Sequence, residues 1–192
     1  MPYYTQPELE NLGFKSLGKN IKVSTLASIY NHEQIILGDN SRIDDFCLLS
    51  GKIKIGNFVH ITPYCLLAGG EKGITIEDFC TLAYGVKVFT QSDDYSGVTM
   101  TNSTIPKKYK KEFKAITYIK RHSIIGTGAT IMPGVTLEEG TSIGAMALVL
   151  NNTQPWKIYT GTPAKPLKAR KKDLLKLEKE FLFEINQHDS IQ

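Results

Sequence analysis

Aliphatic residues recur every six positions along most of this chain, and this spacing constrains the fold more than any other feature. A period of six matches neither the roughly 3.6-residue turn of an α-helix nor the two-residue alternation of a strand. It is typical of a β-helix, in which short strands and tight turns wind into stacked coils. No charged residue occupies the repeated positions, which are Leu37, Ile43, Leu49, Ile55, Ile61, Leu67, Ile76, Leu82, Val88, Ile119, Ile125, Ile131, Leu137, Ile143 and Val149.

A second series of small or β-branched residues lies four positions after members of the first. We therefore expect a mainly β fold, a parallel β-helix of about five triangular coils over residues 35–160. The large aliphatic residues would fill the interior and the small ones would fit where the walls converge. All three cysteines fall in this second series, which predicts buried, unreactive thiols. The series is Cys47, Val59, Cys65, Cys80, Val86, Ala129, Val135, Thr141 and Ala147.

Both ends of a solenoid need caps, and the flanking segments predict one at each end. Residues 1–34 are assigned to an N-terminal cap with a short helix, in which Thr5 is the N-cap, Glu8 completes a capping box and Gly13 ends the helix. Residues 161–192 form a C-terminal extension. There Leu174, Leu177, Phe181 and Ile185 have helical spacing, so we expect an amphipathic helix that closes the stack.

Composition limits the environment and the partners. The three cysteines include no C-x-x-C pair, the N-terminus has no apolar signal segment, and no apolar run would cross a bilayer. We expect a cytoplasmic protein without membrane insertion. The net charge is +4, and lysines cluster at 107–114 and 165–172. Each cluster is either a solvated face or a contact for a phosphate-bearing partner, and the lack of interleaved aromatics disfavours nucleic acid.

The hexads stop between Val88 and Ile119, and the stretch FTQSDDYSG opens this interruption. Long irregular loops within compact domains are usually functional. We assign residues 89–118 to a loop that leaves the solenoid and reaches a neighbouring subunit. The sequence therefore predicts an oligomer with a cleft between chains.

The hexads IIGTGATIMPGVTLEEGTSIGAMALVL and the exit sequence YTGTPAKPLKAR resemble the left-handed β-helix acyltransferases over residues 35–170. The resemblance implies a left-handed coil, a homotrimer with sites between subunits, and an acyl-coenzyme A co-substrate. Maltose- and galactoside-type members carry a catalytic histidine in the middle loop. Asp94 stands in its place here, and residues 61–121 contain no histidine. In this respect the chain resembles N-acyltransferases that act on nucleotide-linked amino sugars.

The chemistry of an amine acceptor agrees with this substitution. A hydroxyl needs a base poised near neutrality, whereas an amine is nucleophilic once it loses a proton. We expect Asp94 to be catalytic, holding and deprotonating the amine with a pKa raised by burial. Asp93 is its neighbour in the turn. Ser92 or Thr90 would stabilise the tetrahedral oxyanion, and His60 is a second catalytic candidate.

The remaining site residues follow from position or from the resemblance. Tyr84 and Tyr95 flank the aspartates and would pack within the fold or stack on a base. Lysines 107–114 would reach a nucleotide diphosphate. No two of His32, His60, His122 and His188 have metal-ligand spacing, so no metal is expected. The resemblance assigns coenzyme A to Thr127, Gly144, Ala145, Asn152, Lys165, Lys168 and Arg170.

Three functions remain open on sequence alone. The favoured one is transfer of an acetyl or related acyl group from coenzyme A to the amine of a dTDP- or UDP-linked amino-deoxysugar, for surface polysaccharide. The alternatives are a sugar O-acetyltransferase of the maltose or galactoside type and a non-catalytic solenoid scaffold.

Overall fold

A computed structural model describes residues 2–189, with residues 186, 188 and 189 described by their backbone only. It is a parallel β-solenoid with three faces, in which strands within the stack pair with the strands one coil above and below. Strands and helices are numbered here in chain order. No helix among the described residues is long and apolar enough to cross a membrane.

The first face stacks short strands at one position of every coil. The ladder runs in the order β2 (Lys22–Val23), β5 (Arg42–Ile43), β7 (His60–Ile61), β9 (Thr81–Leu82), β14 (Ile124–Ile125), β17 (Ser142–Ile143) and β19 (Lys157–Thr160). An antiparallel strand, β20 (Lys165–Ala169), turns back on β19 and ends the ladder.

The second and third faces share two long strands that bend through a corner, β6 (Leu48–Ile55) and β8 (Leu66–Ile76). Their first halves lie in the second face, with β3 (Ser28–Ile29), β10 (Lys87–Phe89), β15 (Thr130–Ile131) and β18 (Leu148–Val149). Their second halves lie in the third face, with β1 (Ser16–Leu17), β4 (Ile35–Leu37), β13 (Thr117–Ile119) and β16 (Thr136–Leu137).

The predicted interior is confirmed. Each of the fifteen repeated aliphatic positions is 2% exposed or less, and the small series is equally buried. The cysteines lie in this core, where burial raises the pKa of the Cys80 thiol to about 12. A thiol with so high a pKa stays protonated and unreactive at neutral pH.

The stack begins before residue 35. Strands β1, β2 and β3 form a coil within residues 1–34, the segment that the sequence assigned to the cap. Helix α1 (Gln6–Asn11) precedes this coil, and its Leu9 is buried in the core. The predicted capping box is present, because the Thr5 N–H donates to Glu8 Oε2 at 2.7 Å. Gly13 follows with a φ of +74°, as a helix-ending glycine requires.

Helix α2 (Leu174–Asp189) exists as predicted, but it does not close the end of the stack. It packs along a corner of the solenoid, where the Phe181 ring contacts the rings of Phe58 and Phe79 edge to face. Those two residues and His122 occupy equivalent turns in successive coils and have a positive φ. The correction has a physical cause: the stacked turns offer the apolar stripe of α2 a continuous aromatic surface.

Polar contacts fix α2 on this corner. Glu178 accepts hydrogen bonds from Arg121 and from His122, whose Nε2 is 2.9 Å from Glu178 Oε2. Burial alone would raise the pKa of Glu178, but the Arg121 hydrogen bond and charge outweigh it and lower that pKa. An apolar cavity of about 340 Å³ remains between α2 and the first face.

The variant Glu178→Gln tests this attachment. It leaves Arg121 without its anionic partner on the helix, so we expect about 1–3 kcal/mol weaker docking of α2. Hydrogen exchange of the α2 amides should accelerate while the core strands stay protected. Glu180→Gln, on the exposed side of the same helix, is the matched control. Equal exchange in the two variants would contradict the role given to Glu178.

Candidate active site

The loop excursion leaves after β10 and returns at β13, and its base is a small antiparallel ladder. Strands β11 (Gln91–Ser92) and β12 (Phe113–Lys114) pair there. Thr90 is buried, and its Oγ1 donates to the carbonyls of Ala68 and Gly69. The excursion therefore rises from a fixed base.

Asp94 is the most hydrogen-bonded side chain in the loop. Its Oδ1 accepts from Ser96 N at 2.9 Å and Ser96 Oγ at 2.6 Å. Its Oδ2 accepts from Thr99 N at 3.2 Å and Thr99 Oγ1 at 3.0 Å. The bonds from Ser96 and then Thr99 lower the pKa of Asp94 to about 2. The expected rise through burial is wrong, because the carboxylate lies at the surface among donors.

Asp93 has a different environment. Its Oδ2 accepts from the Asn102 N–H at 3.1 Å. It lines a cavity of about 360 Å³ together with Asp94, Tyr95 and Phe113, and a second one of about 290 Å³ with Ser92. Glu112 also lines both cavities. Lys111 lines the first cavity as well, but carboxylates outnumber it there, and with the exposed rings they suit a cationic amine.

Neither predicted oxyanion donor has a free hydroxyl proton in this chain. The Thr90 hydroxyl is committed to two carbonyls inside the base of the loop, so Thr90 is wrong as an oxyanion donor. Ser92 Oγ donates to the Asp93 carbonyl at 3.1 Å, a bond at the edge of the cavity. A role for Ser92 in substrate binding stays a prediction.

His60 lies on the first face rather than in the loop. Its Nε2 is 2.9 Å from Asp44 Oδ2. Asp44 is buried and also accepts from Arg42 Nε at 2.6 Å and from the Tyr3 hydroxyl at 3.1 Å. This cluster ties the N-terminal segment to the coils, and the structure does not bring His60 to Asp94 within one chain. Its catalytic role stays a prediction.

The two predicted tyrosines are both exposed. Tyr95 is 92% exposed on the loop, and Tyr84 is 57% exposed in a corner turn between the first and second faces. Packing within the chain is therefore wrong for both. Tyr84 belongs to what we call the corner ridge, the exposed side chains along this corner, which are Phe46, Tyr64, Tyr84 and Met146. The Phe46 and Tyr64 rings stack at 5.2 Å.

Most of the residues expected to bind coenzyme A lie near the last coils. Thr127 and Ala145 are exposed in stacked turns, where the Met146 N–H donates to the Thr127 carbonyl. A Cβ on Gly144 would approach Thr160 Oγ1 to 3.0 Å, so only glycine leaves that turn unobstructed. Asn152 is exposed one turn away, and its Oδ1 accepts from the Thr136 N–H.

Of the three cations in this set, two face solvent. Lys165 and Lys168 are exposed on β20. Arg170 is half-buried, and its NH1 donates to the carbonyls of His122 and Gly140. Arg170 therefore has a structural contact that the sequence did not predict.

The lysines of the loop are partly neutralised. Glu112 accepts from Lys110 Nζ at 2.7 Å and pairs with Lys114 at 3.1 Å. Within the described side chains, no group of three or more histidine, cysteine or acidic residues converges to hold a metal. His188 lies outside those side chains.

Comparison with known proteins places the chain among sugar acyltransferases. It is 38% identical over 184 residues to dTDP-4-amino-4,6-dideoxy-D-glucose acyltransferase from Escherichia coli, covering 94% of this chain and 95% of the relative. It is 35% identical over 125 residues to a probable macrolide acetyltransferase from Lysinibacillus sphaericus, covering 57% and 69% respectively. No protein-family model matches the chain.

Solved structures agree with the sequence relatives. AntD, an N-acyltransferase from Bacillus cereus in complex with dTDP and 3-hydroxybutyryl-coenzyme A, superimposes with a TM-score of 0.95 at 44% identity, covering 97% of this chain and all of AntD. AntD variants with an aspartate replaced by alanine or asparagine have also been solved with dTDP and coenzyme A. A maltose O-acetyltransferase from Clostridium difficile shares the fold, with a TM-score of 0.55 at 22% identity.

The variant Asp44→Asn tests the cluster around His60. Burial alone would raise the pKa of Asp44, but hydrogen bonds from Arg42 and His60 outweigh it and lower that pKa. A carboxyl group whose pKa is lowered in the folded protein stabilises the fold at any pH above its ordinary pKa of about 4. This stabilisation is lost as the pH falls through the pKa of the folded state.

We therefore expect Asp44→Asn to destabilise the protein by about 1–3 kcal/mol at pH 7. The difference in unfolding free energy between the variant and the wild type should become smaller below a pH of about 4, as Asp44 becomes protonated. Denaturant unfolding across this pH range measures both effects. Glu184→Gln, at an exposed position on α2, is the control. A gap that does not change with pH would refute the ionic role of Asp44.

Proposed function

The chain belongs to the nucleotide-linked amino-sugar N-acyltransferases, and on that premise we propose that it transfers an acyl group from coenzyme A to the amine of a dTDP-4-amino-4,6-dideoxy sugar. The observation that carries the proposal is near full-length similarity, at 38% and 44% identity, to two such relatives. The scaffold alternative has no support in these relatives, which are named as acyltransferases.

Loop chemistry favours the amine over a hydroxyl acceptor. Residues 61–121 contain no histidine to deprotonate an alcohol, and the loop presents Asp93 and Asp94 instead. With a pKa of about 2, Asp94 is ionised at every physiological pH. Such a carboxylate attracts an ammonium group and is a weak proton acceptor, so we assign Asp94 to anchoring the amine.

The last coils are proposed to hold coenzyme A. Thr127, Gly144 and Ala145 line stacked turns with room for the pantetheine arm, and Asn152 lies near the exit of the coils. The exposed ammonium groups of Lys165 and Lys168 would meet the phosphates, because phosphate contacts with cations are charge-assisted. The acyl carbon would then meet the amine near the loop, where the oxyanion forms.

A homotrimer with sites between subunits completes the proposal. The corner ridge exposes a column of apolar side chains, of which Tyr64 and Met146 are 62% and 72% exposed. Exposed apolar side chains grouped along one edge favour an interaction site there. Packing of the ridge against a second copy would cover it and bring the loop of one chain to the coils of the next.

Its place in the cell follows from the substrate class. An acylated amino-deoxysugar on a nucleotide carrier is a precursor for surface polysaccharide, including lipopolysaccharide, and is made in the cytoplasm. We propose this location and role for the chain, with no nucleic-acid partner.

The test of function is acyl transfer in vitro. We expect the wild type to release thiol from acetyl- or 3-hydroxybutyryl-coenzyme A when dTDP-4-amino-4,6-dideoxyglucose is present. The dTDP sugar with a hydroxyl at that carbon should give at least about 100-fold slower release, because the loop has no base for an alcohol. Thiol release and mass spectrometry of the product measure both. Faster transfer to hydroxyl acceptors than to any amino sugar would refute the proposal.

The trimer is tested by the double variant Phe46→Asn with Tyr64→Asn. Both residues have a positive φ, which asparagine accepts readily, so the turns should keep their shape. Burial of one aromatic side chain stabilises by about 1.5–3 kcal/mol, so we expect dissociation to monomers at micromolar concentration.

Sedimentation should show a trimer for the wild type and monomers for this variant, with thermal unfolding as the check that each chain is folded. Tyr30→Asn removes an equally exposed ring that lies away from the ridge and should leave the trimer intact. A monomeric wild type, or a trimeric double variant, would contradict the proposed interface.

A further inference from the structure

We propose that Ser96 and Thr99 are positioning residues that hold Asp94 in one orientation, as the anchor for the substrate's ammonium group. The inference rests on the proposed function and deepens it. Neither residue was singled out by the sequence, and neither is required to touch the reacting atoms.

The four hydrogen bonds to Asp94 are divided equally between its two carboxylate oxygens. Each carboxylate oxygen accepts one backbone N–H and one hydroxyl, from Ser96 on Oδ1 and from Thr99 on Oδ2. Rotation about the last side-chain bond would break contacts on both oxygens. The carboxylate plane is therefore fixed, although the side chain lies near the surface.

Thr99 also connects the two arms of the loop. Its Oγ1 donates to Asp94 on the outgoing arm and accepts from the Lys111 N–H at 3.3 Å on the returning arm. Asp94 and residues 111–113 line the same cavity. The Thr99 hydroxyl thus fixes the position of the Asp94 carboxylate relative to residues 111–113 on the other side of the cavity.

An ordinary aspartate, with a pKa of about 4, is already ionised at neutral pH, so the donors act there by fixing the direction of the charge. Hydrogen bonds to the ionised form favour that form, in agreement with the low pKa of this carboxyl group. A fixed negative charge selects a cation over a neutral group of the same size. By fixing the carboxylate plane, the four donors give the loop its preference for an amino sugar over its hydroxyl counterpart.

The experiment compares two ligands across matched variants. Thr99→Val and Ser96→Ala each remove one hydroxyl donor and leave the backbone N–H in place. Thr104→Val is the control, because the Thr104 hydroxyl makes an equivalent turn bond to Asn102 Oδ1 and does not contact Asp94. Calorimetry then measures the Kd of dTDP-4-amino-4,6-dideoxyglucose and of the 4-hydroxy sugar for each protein.

We expect Thr99→Val and Ser96→Ala to bind the amino sugar about 10-fold more weakly and the hydroxy sugar as the wild type does. KM for the amino sugar should rise with a smaller change in kcat, and Thr99→Ser should restore binding. Loss of a donor raises the pKa of Asp94. When the pH is lowered, each variant should therefore lose affinity for the amino sugar at a higher pH than the wild type does. Asp94→Asn should abolish the preference for the amine.

Equal loss of affinity for both sugars, or a Thr99→Val protein that behaves like Thr104→Val, would overturn the inference. So would a wild type with no preference for the amino sugar. The binding data stand apart from turnover. If the wild type acylates the amine but the variants do not show the expected binding differences, the positioning role is refuted and the proposed function stands. If the binding differences appear but no acyl transfer is found, the proposed function is refuted and the positioning role stands.

Discussion

The width of the coil interior is the constraint on which the rest of the structure depends. The faces of the coils contribute aliphatic side chains to a column of buried, close-packed apolar residues. Strands of two or three residues are stabilised by pairing with neighbouring coils, on both sides within the stack and on one side at its ends. A loop can be inserted between two strands if the strand before it and the strand after it both keep their pairing with neighbouring coils. The loop meets this condition, since β10 pairs with β8 and β15, and β13 pairs with β8 and β16.

The corner turns between faces hold large aromatic side chains outside the coil interior. Equivalent turns place one residue at a positive φ in coil after coil, and its side chain points away from the core. At one corner these residues are Phe58, Phe79 and His122, and α2 covers them. At another they include Phe46 and Tyr64, which remain exposed. The same backbone geometry therefore serves docking within the chain at one edge and an open apolar surface at the other.

Periodic and local features were predictable from sequence, and the arrangement of distant segments was not. The fifteen hexads and the capping box of α1 need only short-range rules. The first coil was missed although Leu17, Val23 and Ile29 are also six apart, because extra residues before Leu37 shift the register. The position of α2 depends on aromatic residues from three separate coils, and no local pattern specifies that surface. In the loop, the serine two positions after Asp94 was a readable signal, since an aspartate commonly bonds the backbone two residues on.

The acid–base character of Asp94 follows from where its donors come from. A carboxyl group buried among apolar atoms gains a proton readily, and burial of Asp94 was the expectation from sequence. The loop instead supplies donors from within its own next five residues, so the charged form is favoured without any contact to the solenoid. An anion of this kind holds an ammonium group in place but has little tendency to remove its proton. In the proposed reaction the amine would then lose its proton to another group or to solvent, and Asp94 would contribute the position and the charge complementarity of the bound amine.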